Sequence, residues 1–77
     1  FEKLPLRLAI GICKNTPELK LMCGPVRAVE KNCDEFVKLE SGNFPKEKAA
    51  RSIAERFSAH IEDVQAILPP GDVKIIE

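Results

Sequence analysis

The N-terminal part of the chain alternates between apolar and other side chains. The apolar residues fall on even positions: Leu4, Leu6, Leu8, Ile10 and Ile12. This period of two predicts a half-buried strand, because successive side chains of a strand point to opposite faces. Residues 14–17 have the composition of a turn, and the alternation that resumes over residues 19–23 predicts the return strand of a hairpin. The alternative is a helix that begins with Thr16 as its N-cap and Pro17 at its first position.

From residue 26 onward the apolar spacing changes to three and four. The stripe consists of Val26, Val29, Cys33, Phe36 and Val37. This spacing predicts a helix with one apolar face. The helix is expected to stop near Ser41 and Gly42, with Gly42 as its C-terminal cap, because glycine adopts the left-handed conformation that ends many helices.

Two further helices are predicted between residues 44 and 68. The first opens at Phe44 and Pro45, and its buried side is expected to hold Ala49, Ala50, Ile53, Ala54 and Phe57. A break follows at Ser58 or Ala59. The next helix runs to about Leu68, and its expected buried residues are Ile61, Val64, Ile67 and Leu68.

The fold class follows from these elements. The Pro-Pro-Gly sequence at residues 69–71 ends the last helix, and Val73, Ile75 and Ile76 predict a short C-terminal strand beside the hairpin. We therefore expect one small α+β domain over residues 1–77, with an N-terminal β-hairpin, three helices and this strand. A small all-α bundle is the alternative.

Residues 53–68 resemble the helix-turn-helix pattern of DNA-binding regulators. The pattern needs two helices that cross steeply with a three- or four-residue turn between them. Ala54 supplies the small residue at the close approach, and Ser58 stands where the family often has glycine. The apolar residues of the crook are Ile53, Phe57, Ala59, Val64 and Ile67.

The resemblance implies a DNA-binding surface and a role in transcription regulation. The second helix of such a pair enters the major groove. On this model His60 and Gln65 face the bases, and the cations on phosphate are Lys46, Lys48, Arg51 and Arg56. Residues 57–71, however, contain no Lys or Arg and do contain Glu62 and Asp63.

The same region also resembles a ubiquitin-associated three-helix domain, on the spacing of residues 42–45 with Ala49, Ile53, Val64 and Leu68. The usual Met-Gly-Phe loop of that family is altered, because Asn43 separates Gly42 from Phe44. The resemblance implies a protein partner that docks on Phe44 and on the last helix near Val64 and Leu68.

Charge and composition narrow the classes of function. Twelve basic and twelve acidic residues balance to a net charge of zero, whereas dedicated nucleic-acid binders usually carry an excess of Lys and Arg. Low net charge favours self-association, so a homo-oligomer is among the expected partners. No apolar run approaches the roughly 20 residues that span a bilayer, so no membrane partner is expected.

No catalytic or metal site is expected. The cysteines, Cys13, Cys23 and Cys33, are odd in number and lack the close pairing of zinc ligands. We expect Cys33 in the core and Cys13 facing Cys23 across the hairpin. Reduced cysteines favour a cytoplasmic protein. His60 is the only histidine and has no neighbouring nucleophile in the sequence.

Together these features predict a non-catalytic binding or regulatory protein without a cofactor. One hypothesis is a helix-turn-helix protein that binds DNA. The alternative is a protein–protein interaction module, inhibitor or adaptor that binds one partner through a helical surface or the exposed edge of a strand.

Overall fold

The computed structural model describes residues 7–14 and 17–76. Within them lie four strands and three helices, arranged in the α+β class that the sequence predicts. The strands are β1 (Arg7–Cys13), β2 (Lys20–Pro25), β3 (Glu35–Ser41) and β4 (Val73–Ile76), and the helices are α1 (Val26–Asn32), α2 (Lys46–Phe57) and α3 (Ile61–Ile67). The strands form one antiparallel sheet in the order β2-β1-β3-β4.

The N-terminal hairpin is confirmed. Strand β1 pairs with β2 so that Ile12 lies opposite Leu21 and Gly11 lies opposite Met22. The predicted turn and its helical alternative both depend on Asn15 and Thr16, which lie outside the described residues, as do the first three positions of the predicted strand, 4–6.

The two faces of the sheet are covered by different helices. Ile10 and Ile12 point to one face and pack in the main core with residues of α2 and α3. Ala9 and Gly11 point to the other face, where α1 lies, because strand side chains alternate between faces. An ion pair of 3.6 Å between Lys38 of β3 and Glu30 of α1 joins the sheet to that helix. The domain therefore has three layers.

The predicted helix from Val26 to Gly42 is wrong over its second half. Helix α1 ends at Asn32, and Cys33 is already extended, with φ −122° and ψ 141°. Residues Glu35–Ser41 form β3, which fills the open side of β1. Pairing with a central strand thus overrides the helical spacing of the apolar residues, and Gly42 follows a strand instead of capping a helix.

The second and third predicted helices are confirmed as α2 and α3. All five apolar residues expected on the inner side of the first are buried: Ala49, Ala50, Ile53, Ala54 and Phe57. The expected break lies at Ser58, whose φ of 54° places it in the left-handed region. In α3, Val64 is fully buried, and the adjoining Leu68 is buried against the same core.

The C-terminal strand is confirmed, but its predicted position beside the hairpin is wrong. Strand β4 pairs with β3, with Ile75 opposite Leu39 and Val73 opposite Ser41. The Val73 amide also donates to the Phe44 carbonyl at 3.0 Å. Since β3 occupies the side of β1 that the hairpin leaves open, β4 becomes the far edge of the sheet and β2 the near one.

Candidate functional site

A groove of about 460 Å³ lies between the α2–α3 turn and the β1–β2 hairpin. Its walls are mostly apolar. They include Ile12, Leu21, Phe57, Ala59 and Ile67. Leu19, at the mouth, exposes 72% of its surface and is the most exposed large apolar residue among those described.

The groove follows from how the helices sit on the sheet. Helices α2 and α3 bury Ile12 and Val37 of β1 and β3, whereas Leu21 of β2 stays half-buried. Beyond the end of α2, Ser58 turns the chain sharply, and the Ala59 amide donates to the Ala54 carbonyl at 2.8 Å. The turn therefore ends the helical layer above β1 and leaves the apolar side of β2 open.

The free side of β2 borders this groove. Among the strands that the structure describes, β2 is an edge of the sheet, so its outer backbone groups face no other described strand. Proteins commonly protect such edges with lysine and proline. Here Lys20 and Pro25 stand at the two ends of the strand, and residues 21–24 between them contain neither a charge nor a proline.

The polar part of the groove is contributed by α3 and the strand start. His60 occupies the N-cap position of α3 and is exposed, without a capping side-chain hydrogen bond. Asp63 lies in the wall, and Lys20 lies opposite on β2. Exposed Glu62 adjoins Asp63. Among the described residues, Asp63 is therefore the carboxylate that the helical side contributes to the groove.

The predicted phosphate-binding cations do not form one patch. Lys46 and Arg56 lie about 15 Å apart along α2, at a rise of about 1.5 Å per residue. Lys48 and Arg51 are exposed and point away from the sheet, roughly opposite the buried face of α2. Arg56 is 3.8 Å from Glu35 of β3 and forms an ion pair with it.

The residues predicted to contact bases lie at the start and flank of α3. His60 is exposed, but Gln65 is half-buried. The outward side of the helix carries Glu62, Asp63 and Ala66, which are all exposed. The outer surface of α3 therefore carries acids on the side where the helix-turn-helix resemblance would place DNA.

The partner surface implied by the ubiquitin-associated resemblance is not accessible as a unit. Val64 has no exposed surface and Leu68 exposes 5%, because both pack in the main core. Phe44 alone of the three is exposed, at 40%.

The cysteines are placed differently from the prediction. Cys23 lies opposite Ile10, so it does not face Cys13 across the hairpin. Instead the Cys13 and Cys33 sulfurs lie 3.5 Å apart on the α1 face. Burial raises the pKa of the Cys33 thiol to about 11, and the contact with Cys13 and the charge of Asp34 act in the same direction. Partial desolvation also raises the pKa of Cys23.

The described residues contain neither a cluster of metal ligands nor a helix that could span a membrane. No three His, Cys, Asp or Glu side chains in residues 7–14 and 17–76 converge as metal ligands. Within the same ranges no helix has the length and apolar character needed to cross a bilayer.

The groove itself escapes prediction from the sequence. Its walls come from the hairpin, the α2–α3 turn and α3, and their proximity depends on tertiary packing. The sequence contains one indication of the groove, since Leu19 and Leu21 both belong to the apolar alternation of the return strand. In the structure Leu19 precedes β2 and points into solvent at the mouth of the groove.

The chain is distantly similar to one curated archaeal protein. The chain is 26% identical over 80 residues to the archaeal Rqc2 homolog aRqcH of Methanocaldococcus jannaschii. The match includes the whole of this chain and spans 12% of the length of that relative. No family model matches the chain, and no solved structure matches it.

Proposed function

We propose that this domain is a non-catalytic binding module that accepts an extended segment of a partner polypeptide along β2. The segment adds to the sheet as a further strand, and its alternate side chains enter the groove beside Leu21. Main-chain hydrogen bonds give affinity in this mode of recognition, and the pockets for alternate side chains give specificity.

The observation that carries the proposal is the coincidence of an unprotected strand edge with an apolar groove. A side chain on the added strand that points to the same face as Leu21 would lie against Phe57 and Ile67. The two features that strand addition requires, an open backbone edge and a pocket for alternate side chains, thus lie at one place. Leu19, exposed at the mouth of the same groove, supplies further apolar area for the partner.

Charge defines the chemistry of the partner. Asp63 in the wall gives the helical side of the groove a carboxylate. No Lys or Arg occurs from residue 57 to 71 to neutralise this charge on the helical side. The matching segment carries an apolar residue and a Lys or Arg two positions apart, because residues at that spacing point to the same face of a strand and both enter the groove that Asp63 lines.

Similarity to the archaeal Rqc2 homolog suggests the setting of the module. Because the match spans 12% of that relative, we infer that the domain serves as one binding unit of a longer protein of this kind. The strand that pairs with β2 then comes from another part of such a protein or from a second chain.

The test is selection from a library of random short peptides displayed on phage, with the reduced 77-residue chain as bait. We expect enriched peptides in which an apolar residue and a Lys or Arg stand two positions apart, on the same face of the added strand. Leu19→Ser should weaken binding of a selected peptide about tenfold, because truncation of an apolar anchor typically costs more than about 1 kcal/mol.

Phe44→Ser is the matched control, because Phe44 is the other exposed large apolar residue and lies away from the groove. It should leave the affinity unchanged. Strand addition at β2 would be refuted if Leu19→Ser and Phe44→Ser lost equal affinity for a selected peptide. It would also be refuted if both variants bound the selected peptides as tightly as the parent chain.

DNA binding is the second candidate, favoured by the helix pair and by the left-handed Ser58 at the turn. The cations available for phosphate contacts are Lys46, Lys48, Arg51 and Arg56. An anisotropy titration against mixed-sequence duplex DNA at about 50 and about 200 mM salt tests it. Binding that weakens steeply with salt, and that an Arg51→Ala plus Arg56→Ala variant loses, would favour this candidate over peptide binding.

A further inference from the structure

Three sulfur atoms meet on the face of the sheet that α1 covers. Cys13 Sγ lies 3.2 Å from Met22 Sδ and 3.5 Å from Cys33 Sγ. It also lies 3.0 Å from the Asn32 carbonyl oxygen. The side chains come from β1, from β2 and from the segment between α1 and β3, so tertiary structure brings them together.

The fold makes room for this cluster at Gly11. A Cβ atom at Gly11 would come within 2.6 Å of Cys33 Cβ and 2.8 Å of Cys33 Sγ. Met22 lies directly opposite Gly11 in the hairpin register. The missing side chain therefore lets Cys33 lie over β1 at Gly11, with its sulfur beside that of Cys13.

We propose that Cys13, Met22 and Cys33 form a binding site for copper(I). Thiolate and thioether sulfurs are soft ligands that select this cation. Zinc fits less well, since it takes four ligands and no third His, Cys, Asp or Glu joins the two thiols among the described residues.

Binding is a ligand exchange without electron transfer. The S–H bonds of Cys13 and Cys33 break, their protons pass to solvent, and two copper–thiolate bonds form. Met22 adds a lone pair of its thioether sulfur. With metal–sulfur bonds of about 2.3 Å, as for zinc thiolates, three sulfurs in a plane around a metal stand about 4 Å apart. The two separations from Cys13 Sγ must therefore open by roughly 0.5 Å toward Cys33 and roughly 0.8 Å toward Met22, which side-chain rotation supplies.

Access to the site is through two of its three members. Cys13 exposes 8% of its surface, whereas Met22 and Cys33 are both half-buried. A copper(I) ion carried by a small ligand can therefore reach Met22 and Cys33 first, and the buried Cys13 then binds it as the third sulfur ligand.

The test is an anaerobic competition between the reduced chain and a chromogenic copper(I) chelator. We expect one copper(I) per chain at the site. Met22→Leu keeps the apolar volume but removes the thioether, and Cys33→Ser removes a thiolate; each should lower the affinity at least tenfold. Copper(I) should also raise the Tm of the parent chain and not that of Cys33→Ser, because ligand binding stabilises the folded state.

Cys23→Ser is the matched control, because Cys23 is exposed and lies away from the cluster. It should keep the stoichiometry and affinity of the parent. Failure of the parent to compete with the chelator overturns the proposal. An unchanged affinity in Met22→Leu, or loss of binding in Cys23→Ser, overturns it as well.

Discussion

At the residue scale, the packing of Cys33 on the sheet depends on the absence of a side chain at Gly11. Beyond the Cys33 contacts, a Cβ there would lie 2.9 Å from the Glu35 carbonyl oxygen, which is backbone and cannot rotate away. Gly11 lies on the central strand β1, between β2 and β3. A shift at this point would therefore disturb both pairings of that strand.

Gly11→Ala is expected to lower the free energy of unfolding by about 1–3 kcal/mol, because overpacking forces neighbouring groups apart. Urea denaturation measures it. Gly24→Ala is the control on β2, where the added Cβ would meet only Val29 Cγ2, at 4.0 Å. Its stability should stay the same or rise slightly. Equal destabilisation by the two substitutions would contradict the close contact between Gly11 and Cys33.

The three thiols should differ in their rates of alkylation by iodoacetamide. The thiolate is the reacting form, so exposure and pKa both matter. Cys23 is exposed and should react first. Cys33 is half-buried and its raised pKa of about 11 keeps it protonated near neutral pH, so it should follow more slowly. Buried Cys13 should react last; peptide mass mapping over time gives the order, and early modification of Cys13 would be inconsistent with its burial.

At the scale of elements, the α2–α3 turn is built around a left-handed residue that is not glycine. Ser58 has φ 54° and ψ 40°. This conformation costs a residue with a Cβ about 1–2 kcal/mol, and glycine avoids that cost because it has no Cβ. Helix-turn-helix proteins often place glycine at this position, and here serine tolerates the same geometry.

Ser58→Gly should therefore stabilise the domain, by about 0.5–1 kcal/mol after the larger backbone entropy of glycine is counted. The same substitution at Ser52, exposed within α2, should destabilise it by a similar amount because glycine is a poor helix former. Thermal unfolding of the two variants gives opposite shifts in Tm. A fall in Tm for Ser58→Gly would be incompatible with the left-handed turn.

Elements with one consistent pattern were predictable from the sequence, and the element with two patterns was not. The α2 stripe follows a helical period throughout, and the β1 alternation has no helical counterpart. Residues 33–39 satisfy both periods, since Cys33, Phe36 and Val37 fit a helix while Val37 and Leu39 alternate with Lys38 as in a strand. Residues 35–41 form a strand, β3, because the open side of β1 needs a pairing partner.

At the scale of the whole molecule, sheet order creates the candidate site. Because β3 lies between β1 and β4, helices α2 and α3 are centred over that side of the sheet, and β2 is left at the uncovered edge. The predicted strand-edge surface is thus present as geometry. The sequence could not predict that β2 is the edge strand or that this edge borders a groove, since both depend on contacts between residues far apart in sequence.

The most direct test of strand addition is a nuclear magnetic resonance titration of the isotope-labelled chain with a phage-selected peptide. The account predicts that amide shifts change along β2 and at residues 57–60 of the groove, and that β2 amides gain protection from hydrogen exchange. Shift changes confined to the outer face of α2 at Lys48 and Arg51, with β2 unaffected, would contradict it.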